Sequence, residues 1–307
     1  MLSWERLRIF AALAKHGSIT AAAEALHLTR PAVSQQLRKL EREARCPLVE
    51  PEGRGIRLTA AGEIVAQSAT ALANTVSDTE RDLAVLGGQA VGPFRIGSVA
   101  SALRALLPRV LHTLAESHPR LVPSVVDGEV VDMIPELRAR RIDVLVAESW
   151  SHRPAHMPTG VEFTDVHTED VQLAVSAHHP LAERSTVQLD ELGQQRWVTG
   201  PTGTEDHEAL LQALRSRNLE SDIPYRVGDY ATQLELVAAN LAVALVPRLG
   251  RVPCPPGVRF LQCEPVASRT VGVVIRSGPV TPAERTFIDE IARVAADRVN
   301  QYQTEPS

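Results

Sequence analysis

Cysteine is nearly absent: Cys46, Cys254 and Cys263 are spread over a chain of 307 residues, and none has a His or Cys neighbour at a metal-ligand interval. That excludes a disulfide framework and a zinc module, and fits free thiols in a reducing compartment. No apolar run reaches the ~20 residues that a membrane span needs. Met1 to Glu5 has neither the basic start nor the apolar core of a signal peptide, so the cytoplasm is the expected location. Catalytic signatures are missing as well. There is no Gly-x-Ser-x-Gly, His-Glu-x-x-His, phosphate loop or Gly-x-Gly-x-x-Gly, and the ten histidines form no ligand set. His178-His179 reads as a loop at a strand end. No enzyme activity, metal or cofactor is expected.

What is present is ordinary in amount and uneven in distribution. A hydrophobic content of 44% with 22% charged residues suits a globular chain of two or three domains. The net charge is −5, yet residues 1–62 hold ten Lys or Arg against six Asp or Glu. The head is therefore basic and the remainder acidic, which suits a head that meets a polyanion and a body that does not.

Within that head, Ser18 to Glu43 carries two short helix signals around a tight turn. Thr20 to Leu26 is alanine-rich, His27 and Leu28 make the turn, and Thr29 can cap a second helix with Pro31 in its first turn. At ~100° per residue Val33, Leu37 and Leu40 fall within about 60° of one another, forming one apolar stripe. Pro31, Ser34, Gln35, Arg38 and Arg42 lie opposite. Hydroxyls and amides followed by arginines suit a helix in the DNA major groove, while on its own such a helix also reads as an amphipathic surface helix with a solvated charged side. A preceding helix from Ser3 to His16-Gly17 supplies Leu7, Phe10, Ala11, Leu13 and Ala14 as packing, with Trp4 and Phe10 read as core rather than as base-stacking platforms.

After Glu43, Leu48-Val49 and Ile56-Arg57-Leu58 read as two short strands around Pro51, Gly53 and Gly55. Beside a helix-turn-helix this is a wing whose Arg54 and Arg57 reach phosphates; in isolation it is a surface hairpin. Thr59 opens a long helix to about Leu86, where Val65, Ala69, Leu72, Val76, Thr79, Leu83 and Leu86 repeat as a heptad seam that calls for a partner helix. Gly87-Gly88 then breaks it. Beyond lie strands alternating with helices: Phe94 to Val99, Ala102 to Glu116, Leu121 to Val126, Val130 to Arg140 and Asp143 to Ala147, the pattern of a parallel sheet. A second set runs from Val171-Ser176 through Ala242-Val246, followed by a strand at Thr270-Ile275 and a helix from Thr281. Two such units enclose a cleft. The loops Gly97 to Ser101 and Gly200 to Thr204 each precede a helix and offer N–H groups and hydroxyls, as an anionic or hydroxylated ligand would need and as ordinary helix caps also do.

These residues resemble the LysR-type transcriptional regulators essentially end to end. The likeness is carried by Leu7-Arg8-Ile9-Phe10, Gly17 to Ala23, Pro31 to Leu37, Leu40-Glu41 and Leu58 to Gly62, with support from His179-Pro180-Leu181-Ala182 and Val237 to Pro247. The resemblance implies an α/β protein with a winged helix-turn-helix at 1–58, a dimerising linker helix and hinge at 59–88, and a periplasmic-binding-protein-like effector domain at 89–307. Its subdomain I is expected at about 92–163 and 267–307, and subdomain II at about 164–266. It further implies dimers or tetramers on interrupted palindromes of double-stranded DNA, contact with RNA polymerase, and modulation by a small-molecule effector. Thr29, Arg30, Pro31, Ser34, Gln35 and Arg38, with Arg54 and Arg57, should meet DNA. Ser98, Ala100, Ser101, Thr202, Gly203 and Thr204 should line the cleft, and Val65, Leu72, Val76 and Leu83 should dimerise. Three departures stand out: Arg45 and Asn240 replace glycines, and Val49 and Pro51 replace the family's Phe and Arg in the wing. The rival reading is a cytoplasmic small-molecule-binding protein with no sequence-specific DNA role.

Overall fold

A computed structural model describes residues 2–304 apart from Arg54, Gly87 and Ser221, with the backbone alone at several positions of 74–86 and at 299–304. The chain divides into two compact units, Met1–Leu83 and Ala84–Ser307.

In the first unit, helix α1 is Trp4–His16, ended by Gly17 in the left-handed conformation. Helix α2 (Ile19–Ala25) starts on Ser18, whose hydroxyl accepts the Ala21 N–H at 3.1 Å. Helix α3 (Arg30–Ala44) starts on Thr29, which accepts from the Ala32 N–H at 3.4 Å, with Pro31 in the first turn where it forfeits no helical bond. Strands β1 (Val49–Glu52) and β2 (Gly55–Leu58) pair antiparallel as a hairpin. Pro51 sits inside β1, which is tolerable because a two-stranded ribbon leaves it on an edge. Helix α4 runs Ala60–Leu86. Leu7, Phe10, Leu13, Leu37, Leu40, Leu48, Ala66 and Ala69 share one buried core. Gly62 is obligatory there, since a Cβ would stand 2.0 Å from the Leu48 carbonyl oxygen. Arg45 ends α3 at φ 58°, so the chain keeps the left-handed turn without the glycine that would make it strain-free, at a cost of ~1 kcal/mol.

The second unit contains β3 (Gly92–Ser98), α5 (Ala100–Ala105), α6 (Leu107–Ser117), β4 (Leu121–Asp127), α7 (Val130–Arg138), β5 (Val144–Trp150) and β6 (Val161–Ser176). There follow β7 (Thr186–Gln188), β8 (Arg196–Thr199), α8 (Glu205–Arg215), β9 (Asp222–Arg226), α9 (Tyr230–Ala238), β10 (Ala244–Pro247), β11 (Val258–Glu264), β12 (Ala267–Arg276) and α10 (Pro282–Thr304). The capping box at Thr281 and Glu284 is present in both directions, at 3.2 and 2.8 Å. Asn240 takes φ 56° as a left-handed asparagine can.

Four sequence expectations need correcting. The main sheet is mixed, in the order β4-β3-β5-β12-β6-β11-β7 with β10 also on β6. Only β3 with β4 and β5, and β11 with β7, are parallel within it, because β12 and β6 return antiparallel. β6 begins ten residues before the expected Val171, since Val161 to Asp170 mixes acids with apolar residues and reads as loop. The strands β7 and β11 were not anticipated. The helix expected at Ala102 to Glu116 is two, because Pro108 lacks the N–H that would continue α5 and instead sits in the first turn of α6.

β6 ties two lobes together. Val161 to Val171 pairs with β12 against β5 and so belongs to lobe I, while Val171 to Ser176 pairs with β10 and β11 in lobe II. Where β6 bulges at Val166, opposite Val271 and Gly272, a Cβ on Gly272 would meet Phe163 at 2.4 Å and the Thr164 carbonyl at 2.6 Å, so only glycine lets the strands pair so closely there.

Candidate nucleic-acid interface and ligand cleft

On α3 the apolar stripe is consumed: Val33 and Leu40 are fully buried and Leu37 nearly so. The opposite side faces outward. Arg30, Pro31, Gln35 and Arg38 are exposed, Ser34 is half-buried, and with Ile19 they line one shallow depression. Neither Arg30 nor Arg38 has an ion-pair partner among the described residues. The helix is held in place from behind. Arg6 grips Glu43 through two bonds, at 3.1 and 2.5 Å, and this hydrogen-bonded pairing holds the Glu43 carboxyl below its ordinary pKa. Glu41 accepts the Leu48 N–H at 3.0 Å, fastening the end of α3 to the start of the hairpin. The Ile56 N–H donates to the Gly17 carbonyl at 3.0 Å, so β2 is pinned to the end of α1. Thr29, which caps α3, is exposed beside this face.

The wing differs from expectation. Arg57 is exposed but paired across the hairpin with Glu50 at 2.5 Å and lies 3.8 Å from Glu52. Its charge is therefore shared with two local carboxylates before any phosphate arrives. Arg54 lies outside the described residues.

Along α4, Leu72 (44% exposed), Val76 (40%) and Leu83 (62%) stand in solvent. Val65 does not belong with them as a free seam position; it is half-buried against the core of the head. The seam available to a partner thus begins further along the helix than the heptad alone suggested.

In the second unit the two predicted loops lie one on each lobe, and the hydroxyls of Ser98, Ser101 and Thr204 are already bonded within the chain. Ser98 is buried and its hydroxyl donates to the Val99 carbonyl at 3.1 Å. Ala100 begins α5. The Ser101 hydroxyl accepts from Arg269 Nη1 at 2.8 Å. In lobe II, Thr202 and Gly203 are exposed. Thr204 is buried, its hydroxyl shared between the Pro201 carbonyl at 2.8 Å and Asp206 at 2.5 Å. Asp206 also accepts from the Gly200 N–H at 2.7 Å and from Thr199 Oγ1 at 3.3 Å. In lobe II the Gly200 N–H and the hydroxyls of Thr199 and Thr204 are thus filled by a carboxylate of the chain itself.

Where the lobes meet lies Arg269, fully buried on β12. Its guanidinium bonds Glu169 Oε1 through Nε at 2.9 Å and Nη2 at 2.5 Å, and Glu148 Oε2 through Nη1 at 2.8 Å. Burial works against its charge, but Glu169 and Glu148 outweigh burial and raise its pKa. Glu148 also accepts from Trp150 Nε1 at 3.0 Å, and Glu169 from the Leu249 N–H at 2.7 Å. Burial nevertheless leaves the Glu148 carboxyl above its ordinary range. Glu129, at the N-cap of α7, reaches toward lobe II: a Cβ built on Gly228 would stand 3.4 Å from its Oε1. Burial and then the nearby Asp206 and Glu148 raise its pKa to about 7. Two surface pairs bridge the lobes, Arg104 with Asp229 and Arg153 with Glu205, the latter at 3.1 Å.

The sequence reading missed Arg269, Glu148, Glu169, Glu129 and Tyr230. A signal existed for two of them. Arg269 shares strand parity with buried Ala267, Val271 and Val273, and Glu169 with Val171 and Leu173, so each is a charge on an apolar face. Among the described residues no group of ligating side chains is placed to hold a metal, and no helix is long and apolar enough to cross a membrane.

A winged helix-turn-helix joined by a long helix to a two-lobed cleft defines a DNA-binding regulator with a ligand-responsive domain. The family models agree: "Bacterial regulatory helix-turn-helix protein, lysR family" matches residues 4–63, and "LysR substrate binding domain" matches 87–296. The chain belongs to the LysR family of transcription regulators. It is 25% identical over 297 residues to the DNA-binding transcriptional dual regulator OxyR of Escherichia coli, covering 95% of each chain. To the regulator TfdS of Cupriavidus pinatubonensis it is 26% identical over 296 residues, covering 95% of this chain and 98% of that one. Among solved structures, full-length CbnR complexed with its target DNA superposes with a TM-score of 0.69 at 23% identity, covering 96% of this chain and 100% of that one.

Proposed function

We propose that the outward face of α3 enters the DNA major groove, with Thr29, Arg30, Pro31, Ser34, Gln35 and Arg38 in contact and the wing, through Arg54 and Arg57, beside the flanking phosphates. The observation that carries this is the depression on α3, where two unpaired arginines flank Ser34 and Gln35 while the apolar stripe is buried behind. The protein works by binding rather than catalysis, in the cytoplasm, as a dimer or tetramer on an interrupted palindrome. The apolar positions Leu72, Val76 and Leu83 supply the seam between copies. A small molecule in the cleft alters the spacing of the paired heads, and with it DNA bending and the recruitment of RNA polymerase.

Fluorescence anisotropy with a fragment selected from the native genome and a scrambled duplex, at several salt concentrations, tests the reading. The selected fragment should bind at least ~1,000-fold more tightly; equal affinity for both would contradict it. Sedimentation of Leu72→Asp should give a lower mass than the parent chain, and an unaltered mass would remove the seam.

Several relatives are named hydrogen peroxide-inducible genes activators. A thiolate response through Cys254 or Cys263 is disfavoured in this chain. Burial pushes the Cys254 thiol up and, reinforced by Glu264, the Cys263 thiol to about 11, so neither is a ready thiolate near neutral pH.

A further inference from the structure

Four carboxylates, Glu129, Glu148, Glu169 and Asp206, stand where the two lobes meet. Glu148 and Glu169 hold the Arg269 guanidinium between them, and Asp206 is satisfied by Gly200, Thr199 and Thr204. Glu129 is left over. Among the described residues its carboxylate has no hydrogen bond or ion pair, and the charges that act on it most strongly are acidic: Asp206 on α8, Glu148 on β5, Asp127 at the end of β4 and Asp132 on α7. Asp229, next to Gly228, is itself paired with Arg104. A carboxylate so placed relieves its position by holding a proton or by meeting a cation.

A second, independent group points the same way. Tyr230, at the start of α9, is only 7% exposed, and its hydroxyl has no partner among the described residues. Its ring lies against Gly250, where a Cβ would come within 2.9 Å, and the charges around the hydroxyl are Glu148, Asp206, Arg269 and Glu169. A buried phenol hydroxyl with no partner can donate and accept, and leaving it unmatched carries a desolvation cost that an N–H donor on its oxygen would relieve. An alkylammonium offers three donors and no acceptor, which matches carboxylate and phenol oxygens. A carboxylate or phosphate ligand would instead meet an anionic neighbourhood.

We infer that the effector of this protein is a small protonated amine, its ammonium received by Glu129 and the Tyr230 hydroxyl at the edge of the Glu148 and Asp206 cluster. The inference rests on the cleft being the effector site, as proposed above. Amine binding favours the ionised form of Glu129, so affinity rises with pH through 7 while the amine itself stays protonated.

Calorimetric titration of the full chain with butylamine and with butanoate, a pair matched in everything but the charged group, tests it, with inorganic phosphate as a second anion. Butylamine should bind at pH 8, and about tenfold more weakly at pH 6. Glu129→Gln should weaken it about tenfold or more and flatten the pH profile. Tyr230→Phe should weaken it while keeping that profile; circular dichroism melts confirm that both variants fold. If butanoate or phosphate binds in preference and Tyr230→Phe weakens it, the charge assignment is overturned while the cleft survives as a ligand site. Butylamine binding that ignores both substitutions overturns the inference and also places the amine outside this cleft. No butylamine binding even in the tens of millimolar overturns the inference alone.

Discussion

The face of α3 and the cleft between the lobes are both rich in charge, and they treat it in opposite ways. On α3, Arg30 and Arg38 stand exposed and unpaired, held in position by Arg6, Glu43 and Glu41 bonding behind them. In the cleft, Arg269 is sealed from water and saturated by Glu148, Glu169 and Ser101. An exposed, unpaired cation contributes little to folding and keeps its full charge for a phosphate or a guanine. A buried, saturated one anchors the fold and gives its ligand nothing but its neighbours. Charge alone therefore does not mark a binding site; whether its partners are already inside the chain does.

The contrast can be broken most forcefully at Arg269. Arg269→Met leaves two buried carboxylates without their cation and should destabilise the protein by ~3–5 kcal/mol in urea unfolding. Adding Glu148→Gln and Glu169→Gln should recover much of that loss. A single variant as stable as the parent would show that the triad does not anchor the cleft.

Glu129 gives a smaller, pH-dependent effect. Its pKa in the folded protein, about 7, lies above the ordinary carboxyl value of 4.5, so its contribution to stability is full below pH 4.5 and is lost as pH rises through 7. Glu129→Gln should raise Tm at pH 8, leave it unchanged at pH 4, and make the slope between them shallower. Some slope should persist, because burial also raises Glu148 and Glu205. A slope identical to that of the parent would mean that Glu129 titrates normally.

Smallest is the wing. Arg57 shares its charge with Glu50 and Glu52 in an exposed pairing, so Arg57→Ala should weaken DNA binding by less than ~1 kcal/mol. Glu50→Gln, by freeing Arg57, should strengthen it slightly. If Arg57→Ala costs more than Arg38→Ala in the same titration, the wing rather than α3 carries the interface.

The same difference explains what the sequence could disclose. Helix caps act over three residues, so Ser18, Thr29 and the Thr281 box were legible, and a helix's outward face follows from its period once Val33, Leu37 and Leu40 are placed. The cleft is built by contacts between distant segments: Arg269 meets Glu169, Glu148 and Ser101 at separations of 100, 121 and 168 residues. No local pattern encodes that meeting, so the loop at Gly97 reads as open; the loop at Gly200 is instead filled by Asp206, only six residues on. The first part of β6 was missed for a related reason. Glu162, Asp165 and Glu169 break the apolar alternation, and one of them is charged because it faces Arg269. Val65 shows the limit of periodicity: the heptad places it on the seam, and the core of the head claims it.

The central claim is that the unpaired arginines of α3 read DNA while contributing nothing to the fold. Arg38→Ala, measured by anisotropy on the selected and scrambled duplexes across a salt series and by urea unfolding of the same preparation, tests it most directly. The account predicts unfolding within ~0.5 kcal/mol of the parent and ~1–3 kcal/mol weaker binding to the selected site. Unchanged binding to both duplexes would contradict it, as would a loss of binding that tracks a loss of stability.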